Sequence, residues 1–132
     1  MTKQFYDPPD VFSPVAIYSH AVRCGRTLTL AGQAPLNDDG TVVGRGDAEV
    51  QCRRVFADLK KTLDLAGATF EDVVYVRAYL TDKAVLPAVH RVASGIFGGN
   101  RPAFTAIVIP SCRGEDVMVE IELVLDLADA ST

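Results

Sequence analysis

The segment Val117–Leu127 alternates apolar and mostly polar residues along its whole length. Successive side chains of a β-strand point to opposite faces, so this alternation predicts a strand with one face in a hydrophobic core. Such a strand belongs to a sheet whose two faces meet different environments. The predicted core face consists of Val117, Val119, Ile121, Leu123 and Leu125, and the opposite face of Met118, Glu120, Glu122, Val124 and Asp126.

Two segments with helical periodicity are predicted to pack on the core face of that sheet. Asp47–Ala66 spaces its apolar residues at steps of three and four, and Gly67 follows as a C-capping residue. Ala84–Phe97 carries a second apolar stripe, with Pro87 in the first turn, where the missing N–H does little harm.

The other predicted strands are Ile17–Val22, Arg26–Ala31, Val73–Leu80 and Ala103–Ile109. The third of these is predicted to place Val74, Val76, Ala78 and Leu80 on one face and Tyr75, Arg77 and Tyr79 on the other. The fourth is apolar on both faces, which predicts a strand covered on both sides, either within the domain or by another chain.

The predicted order is β-β-α-β-α-β-β, an α+β fold with both helices on one face of the sheet. Residues 1–132 are predicted to form a single domain, because domains commonly hold about 100–150 residues. Residues 1–13 are predicted to be an irregular N-terminal segment. The composition is 48% apolar and 23% charged, which excludes a disordered chain, a collagen-like repeat and a coiled coil.

Charge and segment composition limit the partners and the compartment. The net charge is −4 and there is no basic tract, so no nucleic-acid partner is expected. No stretch approaches the ~20 consecutive apolar residues that cross a bilayer, so no membrane partner is expected. Met1–Pro9 has no apolar signal core, and Cys24, Cys52 and Cys112 suit neither a disulfide framework nor a zinc site. We therefore expect a reduced, cytoplasmic protein.

The sheet face without helices mixes charged and aromatic residues with apolar ones such as Val124. In a monomer those apolar residues would be exposed to water. We therefore expect a small oligomer that closes over this face and forms clefts between its subunits. The charged and aromatic residues of the face are Arg77, Tyr79, Glu120 and Glu122.

Glu120 and Glu122 are the first candidates for chemistry on that face, where strand geometry places them about 7 Å apart. A carboxylate in a partly apolar cleft can hold or activate a water molecule. The alternative is a solvated strand face, or an ion pair with Arg77. Arg77 itself is either a clamp for a substrate carboxylate or the partner of a neighbouring glutamate.

The remaining candidates lie outside that face. Tyr18 either contacts a ligand or is a structural tyrosine, and His90 is expected to be structural. Cys112 is next to Arg113, which favours a thiolate, but no base is placed beside it, so we expect an inert thiol. Two histidines and three scattered cysteines give no metal-ligand pattern.

Several motifs along the chain are IYSHAV at 17–22, LAGQAPL at 30–36, YLTD at 79–82, RPA at 101–103 and VEIE at 119–122. In their order and spacing they resemble the PYSQAV, SGQIPL, FLTD, RPA and VEIE signatures of the Rid (reactive intermediate deaminase) proteins, also described as endoribonuclease-like. The similarity extends from about residue 13 to residue 127, nearly the whole chain.

This resemblance implies a chorismate-mutase-like fold with one mixed sheet, assembled as a homotrimer with three clefts between subunits. It also implies hydrolysis of reactive imines or enamines to carbonyl products and ammonia, without a cofactor. Tyr18, Gly32 and Glu120 match the family's ligand-side residues, and the glutamate is the one that positions the attacking water. Phe104 stands where founding members have the arginine that binds the substrate carboxylate.

Two functions are consistent with these observations. The first is a hydrolytic deaminase of an imine or enamine metabolite, with Glu120 catalytic and with Tyr18, Gly32, Phe104 and Arg77 binding the small-molecule substrate. Arg77 or Arg113 would replace the missing cation. The second is a non-catalytic trimer that binds a small molecule or acts as a regulator.

Overall fold

The computed structural model describes residues 2–13 and 17–128, and within them the chain forms one six-stranded sheet. The strands lie in the order β1-β2-β3-β6-β4-β5. Only β4 and β5 pair in parallel, so the sheet is mixed, as predicted. The strands are β1 (Lys3–Tyr6), β2 (Ala21–Cys24), β3 (Thr27–Gln33), β4 (Val73–Leu80), β5 (Ala103–Val108) and β6 (Val119–Asp126).

Two helices, α1 (Ala48–Ala66) and α2 (Leu86–Phe97), pack on the same face of this sheet. The Asp47 side chain caps α1 by accepting a hydrogen bond from the Val50 N–H at 3.1 Å. Gly67 ends α1 in the left-handed conformation, with φ of 71°, which glycine adopts without a steric penalty. The α+β fold with both helices on one face is confirmed. Within the described residues, neither helix combines the length and the apolar character that crossing a bilayer requires.

The core lies between the two helices and the covered face of the sheet. The predicted alternation of β6 is confirmed, because its core-facing residues are fully buried and the intervening ones are partly exposed. Phe56, Phe70 and Phe97 meet edge to face between the helices, with ring centroids 5.8–6.0 Å apart. The buried β6 residues are Val119, Ile121, Leu123 and Leu125, and Val117 just before the strand is buried as well.

The amino-terminal part of the chain differs from the prediction. Residues 3–6, expected to be irregular, form β1 and pair antiparallel with β2. Their side chains are mostly exposed, so backbone pairing holds this strand, and it has no apolar pattern from which it could be predicted. The predicted strand Ile17–Val22 also begins later, at Ala21. Met1 and residues 14–16 and 129–132 lie outside the described residues.

A bulge shifts the predicted faces of β4. Val73 pairs with Leu125 and Tyr75 with Val124, so Val74 is the extra residue in the ladder. As a result Val73 is buried, while Val74 is 48% exposed rather than in the core as predicted. Beyond the bulge, the predicted alternation of the strand is confirmed.

The register of this bulge can be tested by truncating each of the two valines in turn. We expect Val73→Ala to lower the free energy of unfolding by about 2 kcal/mol, because a buried valine is truncated. Val74→Ala should change it by about 0.5 kcal/mol or less. Urea denaturation of both variants at one protein concentration measures the difference, and equal losses would contradict the bulged register.

The strand β5 is the edge of the sheet, and most of its residues are exposed. Phe104, Ile107 and Val108 are 37%, 39% and 57% exposed. Of the two alternatives for this strand, cover on both sides within the domain is therefore wrong. Cover by another chain stays a prediction, and an apolar edge strand left open is a surface that natural proteins usually protect.

Candidate functional site

The pairing of β3 with β6 places Gly32 against Glu120. Gln33 is paired with Ile121, and a register shift lies between Leu30 and Gln33. A Cβ atom on Gly32 would lie 2.7 Å from Glu120 Oε1 and 2.9 Å from its Cδ. The glycine is needed here because of close approach, since any larger residue would displace the carboxylate.

The loop between β5 and β6 brings Arg113 to the same carboxylate. The Arg113 Nε and Nη2 atoms lie 3.2 and 3.1 Å from Glu120 Oε1. Nη2 also donates to the Gly32 carbonyl at 3.3 Å, and Nη1 lies 3.5 Å from the Tyr18 hydroxyl. The Arg113 guanidinium therefore connects Tyr18, Gly32 and Glu120, the three residues that the resemblance predicted as ligand-side residues.

The second oxygen of the carboxylate contacts a thiol. Cys112 Sγ lies 3.3 Å from Glu120 Oε2, and Cys112 is only 2% exposed. Burial, reinforced by the charge of Glu120, raises the pKa of this thiol to about 12. Cys112 is therefore a neutral donor to the carboxylate at physiological pH, in keeping with the expectation of a thiol that is not a nucleophile.

The charges of this site are partly shielded from water. The side chains of Arg113 and Glu120 are 27% and 18% exposed. Burial alone would lower the pKa of Arg113, but the charge of Glu120 and the hydrogen bond to Tyr18 together hold that pKa above its ordinary value. Arg113 is therefore a permanent cation, and its side chain and the neighbouring Glu120 carboxylate are both only partly exposed to water.

Tyr18 reaches this site from an irregular segment rather than from a strand. The segment is anchored by the buried His20, whose backbone N–H donates to Asp7 Oδ1 at 2.8 Å. The His20 ring places Nδ1 3.1 Å from the same oxygen and Nε2 3.1 Å from the Phe12 carbonyl. The N-terminal residues thus help to position Tyr18, a role that the predicted irregular segment did not suggest.

Arg77 lies on the same sheet face but binds other residues. Its Nη1 atom lies 3.0 Å from Glu122 Oε1, which also accepts a hydrogen bond from the Tyr79 hydroxyl at 3.1 Å. Its guanidinium lies 5.3 Å from the centroid of the Tyr75 ring. Hydrogen bonds with Tyr79 and Tyr75 raise the Arg77 pKa. The ion pair with a neighbouring glutamate, one of the two alternatives for Arg77, is what the structure contains.

Phe104 faces the other side of the sheet. It is paired with Val76, whose side chain is buried in the core, and paired residues point to the same face. The Phe104 ring lies 5.6 Å from the ring of His90 on α2, beside a cavity of about 230 Å³. Within one chain, Phe104 therefore does not join the cluster around Glu120.

Sequence reasoning found Tyr18, Gly32 and Glu120 but gave Cys112 no part in the site. The loop from 109 to 118 has no periodicity, so nothing in the sequence fixes which of its side chains reach β6. The signal that could have found them is proximity along the chain, since Cys112 and Arg113 lie in the short loop before the strand that carries Glu120. Among the described residues, no group of three or more His, Cys, Asp or Glu side chains is arranged to hold a metal ion.

The sequence and the fold are similar to those of known proteins. The family model described as Endoribonuclease L-PSP matches residues 9–126. A RutC family protein of Pyrococcus abyssi is 34% identical over 111 residues, which cover 84% of this chain and 87% of the relative.

Two further relatives extend the comparison. The 3-aminoacrylate deaminase RutC of Acinetobacter baylyi is 31% identical over 121 residues, which cover 92% of this chain and 95% of that protein. The solved structure of YyfA from Yersinia pestis, a protein of unknown function of the conserved Rid family, has a TM-score of 0.87 at 26% identity. That match covers 96% of this chain and 100% of the other.

Proposed function

This chain belongs to the endoribonuclease L-PSP family of Rid and RutC proteins, and on that premise we propose that it hydrolyses a reactive imine or enamine metabolite to ammonia and a carbonyl product. The observation that carries the proposal is the contact between Arg113 and Glu120. It places a cation that can bind an anionic substrate within 3.1 Å of a carboxylate that can activate water.

Arg113 replaces the cation that is missing at position 104, where this chain has a phenylalanine. A guanidinium has five N–H donors, and the contacts with Glu120, Gly32 and Tyr18 leave part of Nη1 for a ligand. Its planar donor pattern suits a substrate carboxylate. Arg77 is committed to Glu122 and two tyrosines, so of the two arginines considered as the replacement, the contacts favour Arg113.

The proposed reaction proceeds in two steps at Glu120. The imine reacts as its protonated iminium form, and an enamine reaches the same form by taking a proton on carbon from solvent. Water adds to the iminium carbon, Glu120 accepts one proton of that water, and the nitrogen becomes a neutral amine on a tetrahedral carbon. Glu120 then passes its proton to this nitrogen, the C–N bond breaks to release ammonia, and Glu120 takes the hydroxyl proton as the C=O group forms and returns it to solvent. The neutral Cys112 thiol orients the carboxylate by donating to Oε2 throughout.

The RutC relative points to the substrate class. That protein is described as a 3-aminoacrylate deaminase, and 3-aminoacrylate is an enamine that carries a carboxylate. A small enamino or imino acid offers both groups that the site addresses, an anion for Arg113 and an electrophilic carbon for the water on Glu120. RNA cleavage is not proposed, because the described residues around Glu120 include no lysine or histidine in contact with it and the chain carries a net charge of −4.

A homotrimer completes the proposed cleft. Phe104 is paired with Val76 and lies on the opposite side of the sheet from Glu120, so it reaches a Glu120 site only on a second copy of the chain. In that arrangement Phe104 and His90 of one subunit form the apolar wall of a cleft whose polar wall is the Glu120 cluster of another. The exposed Val108, which is paired with the buried Leu80 and shares the face of Phe104, would be covered in the same contact.

Two measurements test the proposed function. Ammonia and carbonyl product released from enzymatically generated imino acids should appear faster with the protein than in buffer, and sedimentation equilibrium should give a trimer. A trimer that accelerates none of the imines tried would instead support the non-catalytic binding protein. A monomer that also hydrolyses no imine would remove both functions.

Gly32 offers a separate test of the site. We expect Gly32→Ala to lower kcat/KM about tenfold or more, because its Cβ would lie within 3 Å of the Glu120 carboxylate and push it off Arg113. The matched control is Gly95→Ala on α2, where nothing lies within 4 Å of the added Cβ. That control should keep full activity and stabilise the helix by up to about 1 kcal/mol. Equal activity of the two variants would argue against the close approach of Gly32 to a working carboxylate.

A further inference from the structure

A buried amide on α1 holds the loop that carries Arg113. Gln51 is 0% exposed and lies in the first turn of the helix. Its Nε2 donates to the backbone carbonyl of Asp116 at 2.7 Å, and its Oε1 accepts from the backbone N–H of Met118 at 2.8 Å. Because a carbonyl only accepts and an N–H only donates, these two partners fix the orientation of the amide.

The same loop contains two strained positions. Arg113 and Asp116 have φ of 51° and 69°, and they are the non-glycine residues with positive φ among the described residues. This left-handed region is disfavoured for residues with a Cβ, so the surrounding structure must impose it. One of the two strained residues is Asp116, whose carbonyl is the Gln51 acceptor, and the other is the arginine that binds Glu120.

An apolar anchor acts beside the amide. Cys112 and Val117 are buried in a small cluster with Ala34 and Leu36. This contact holds the two ends of the 112–117 segment against the residues that follow β3 but makes no directional bond. Gln51 adds directional hydrogen bonds at Asp116 and Met118.

We propose that Gln51 is a positioning residue, which holds the 109–118 loop in the strained conformation that seats Cys112 and Arg113 on Glu120. Its effect on catalysis rests on the function proposed above, whereas its effect on the loop does not. Loss of the amide donor should let Asp116 and Arg113 relax out of the left-handed region. Arg113 would then leave Glu120, and the Cys112 thiol would become accessible.

The three cysteines of the chain report on this without any substrate. Cys24 is exposed, Cys52 is buried beside Gln51 on α1, and Cys112 is buried in the loop. Labelling with iodoacetamide, followed by mass spectrometry of each cysteine peptide, gives three rates in one sample. In the wild-type protein Cys112 should react far more slowly than Cys24.

The main variant is Gln51→Met, which keeps the length of the side chain but loses both the donor to Asp116 and the acceptor for Met118. We expect it to raise the labelling rate of Cys112 about tenfold or more, with the Cys52 rate unchanged. The control is Asp116→Asn, which leaves the backbone carbonyl in place and should leave the Cys112 rate unaltered. An unchanged Cys112 rate in Gln51→Met overturns the inference.

Gln51→Leu, which also lacks the donor and the acceptor, serves as the second variant in case Gln51→Met unfolds. If both variants accelerate Cys52 as much as Cys112, the amide stabilises the whole fold rather than the loop, and the inference is overturned. In kinetics, Gln51→Met should raise KM for a carboxylated imine about tenfold in the wild-type background but not in the presence of Arg113→Met. A protein that shows the selective Cys112 labelling but hydrolyses no imine retains the loop inference and refutes only the proposed function.

Discussion

Replacing Glu120 with Gln is expected to lower kcat for imine hydrolysis by about 10²–10⁴-fold, the usual contribution of a positioned general base. The amide keeps the size of the side chain and can still accept from the Arg113 guanidinium at Oε1. It cannot take a proton from water, so only the chemical step should be affected. KM for a carboxylated substrate should change little, because Arg113 remains in place.

Glu122→Gln is the matched control for this experiment. Glu122 lies on the same strand and the same face, two residues away, and binds Arg77 and the Tyr79 hydroxyl rather than Arg113. We expect its activity to stay within about threefold of the wild-type value, since this partly exposed pair contributes to packing of the face and not to water activation. Ammonia release under single-turnover conditions separates the chemical step from binding. A larger loss of activity in Glu122→Gln than in Glu120→Gln would indicate that Glu122 activates the water, and it would contradict the assignment of that role to Glu120.

The elements with a strict period could be predicted from the sequence. β6 and α1 bury one face each, so their apolar residues recur at steps of two or at three and four, and the structure places them as those steps indicate. The order of strands and helices could be predicted from these periodic elements, and so could the α+β fold. The candidate glutamate is on β6, so its face was also predictable from alternation.

The features that the sequence did not predict depend on backbone pairing and tertiary contact. β1 exists because β2 offers an edge to pair with, and its exposed side chains leave no pattern. The bulge at Val74 buries Val73 in place of Val74, and alternation alone does not indicate which of the two valines lies in the core. The position of Arg113 depends on a left-handed residue and on an amide from a distant helix, neither of which has a local sequence signal.

The structure places two predicted site residues on opposite faces of the sheet. Phe104 and Glu120 were predicted to share a cleft between subunits, and within one chain their pairing partners on β4 put them on different faces. A shared cleft therefore needs two copies of the chain, which makes the assembly and the activity a single question for experiment.

Arg113→Met is expected to raise KM for a carboxylated imine about 30–150-fold, because charged hydrogen bonds to the substrate carboxylate contribute roughly 2–3 kcal/mol. The same variant should bind the corresponding uncharged imine amide as well as the wild-type protein does, since that substrate has no anion for the guanidinium. Loss of Arg113 also frees both lone pairs of Glu120 Oε1, so kcat should not fall as it does in Glu120→Gln. The effect on KM and kcat is thus the reverse of the one expected for the glutamate.

The control for Arg113→Met is Arg77→Met, since Arg77 lies on the sheet face without helices and is the other arginine considered as the substrate-binding cation. Its guanidinium lies against the Tyr75 ring and on Glu122, so its removal should leave KM for both substrates within about threefold of the wild-type values. If Arg77→Met raised KM for the carboxylated imine and Arg113→Met did not, the substrate carboxylate would bind at the Arg77 end of the face. The Arg113–Glu120 contact would then be a structural ion pair, because a cation that binds no substrate has no part in selecting one.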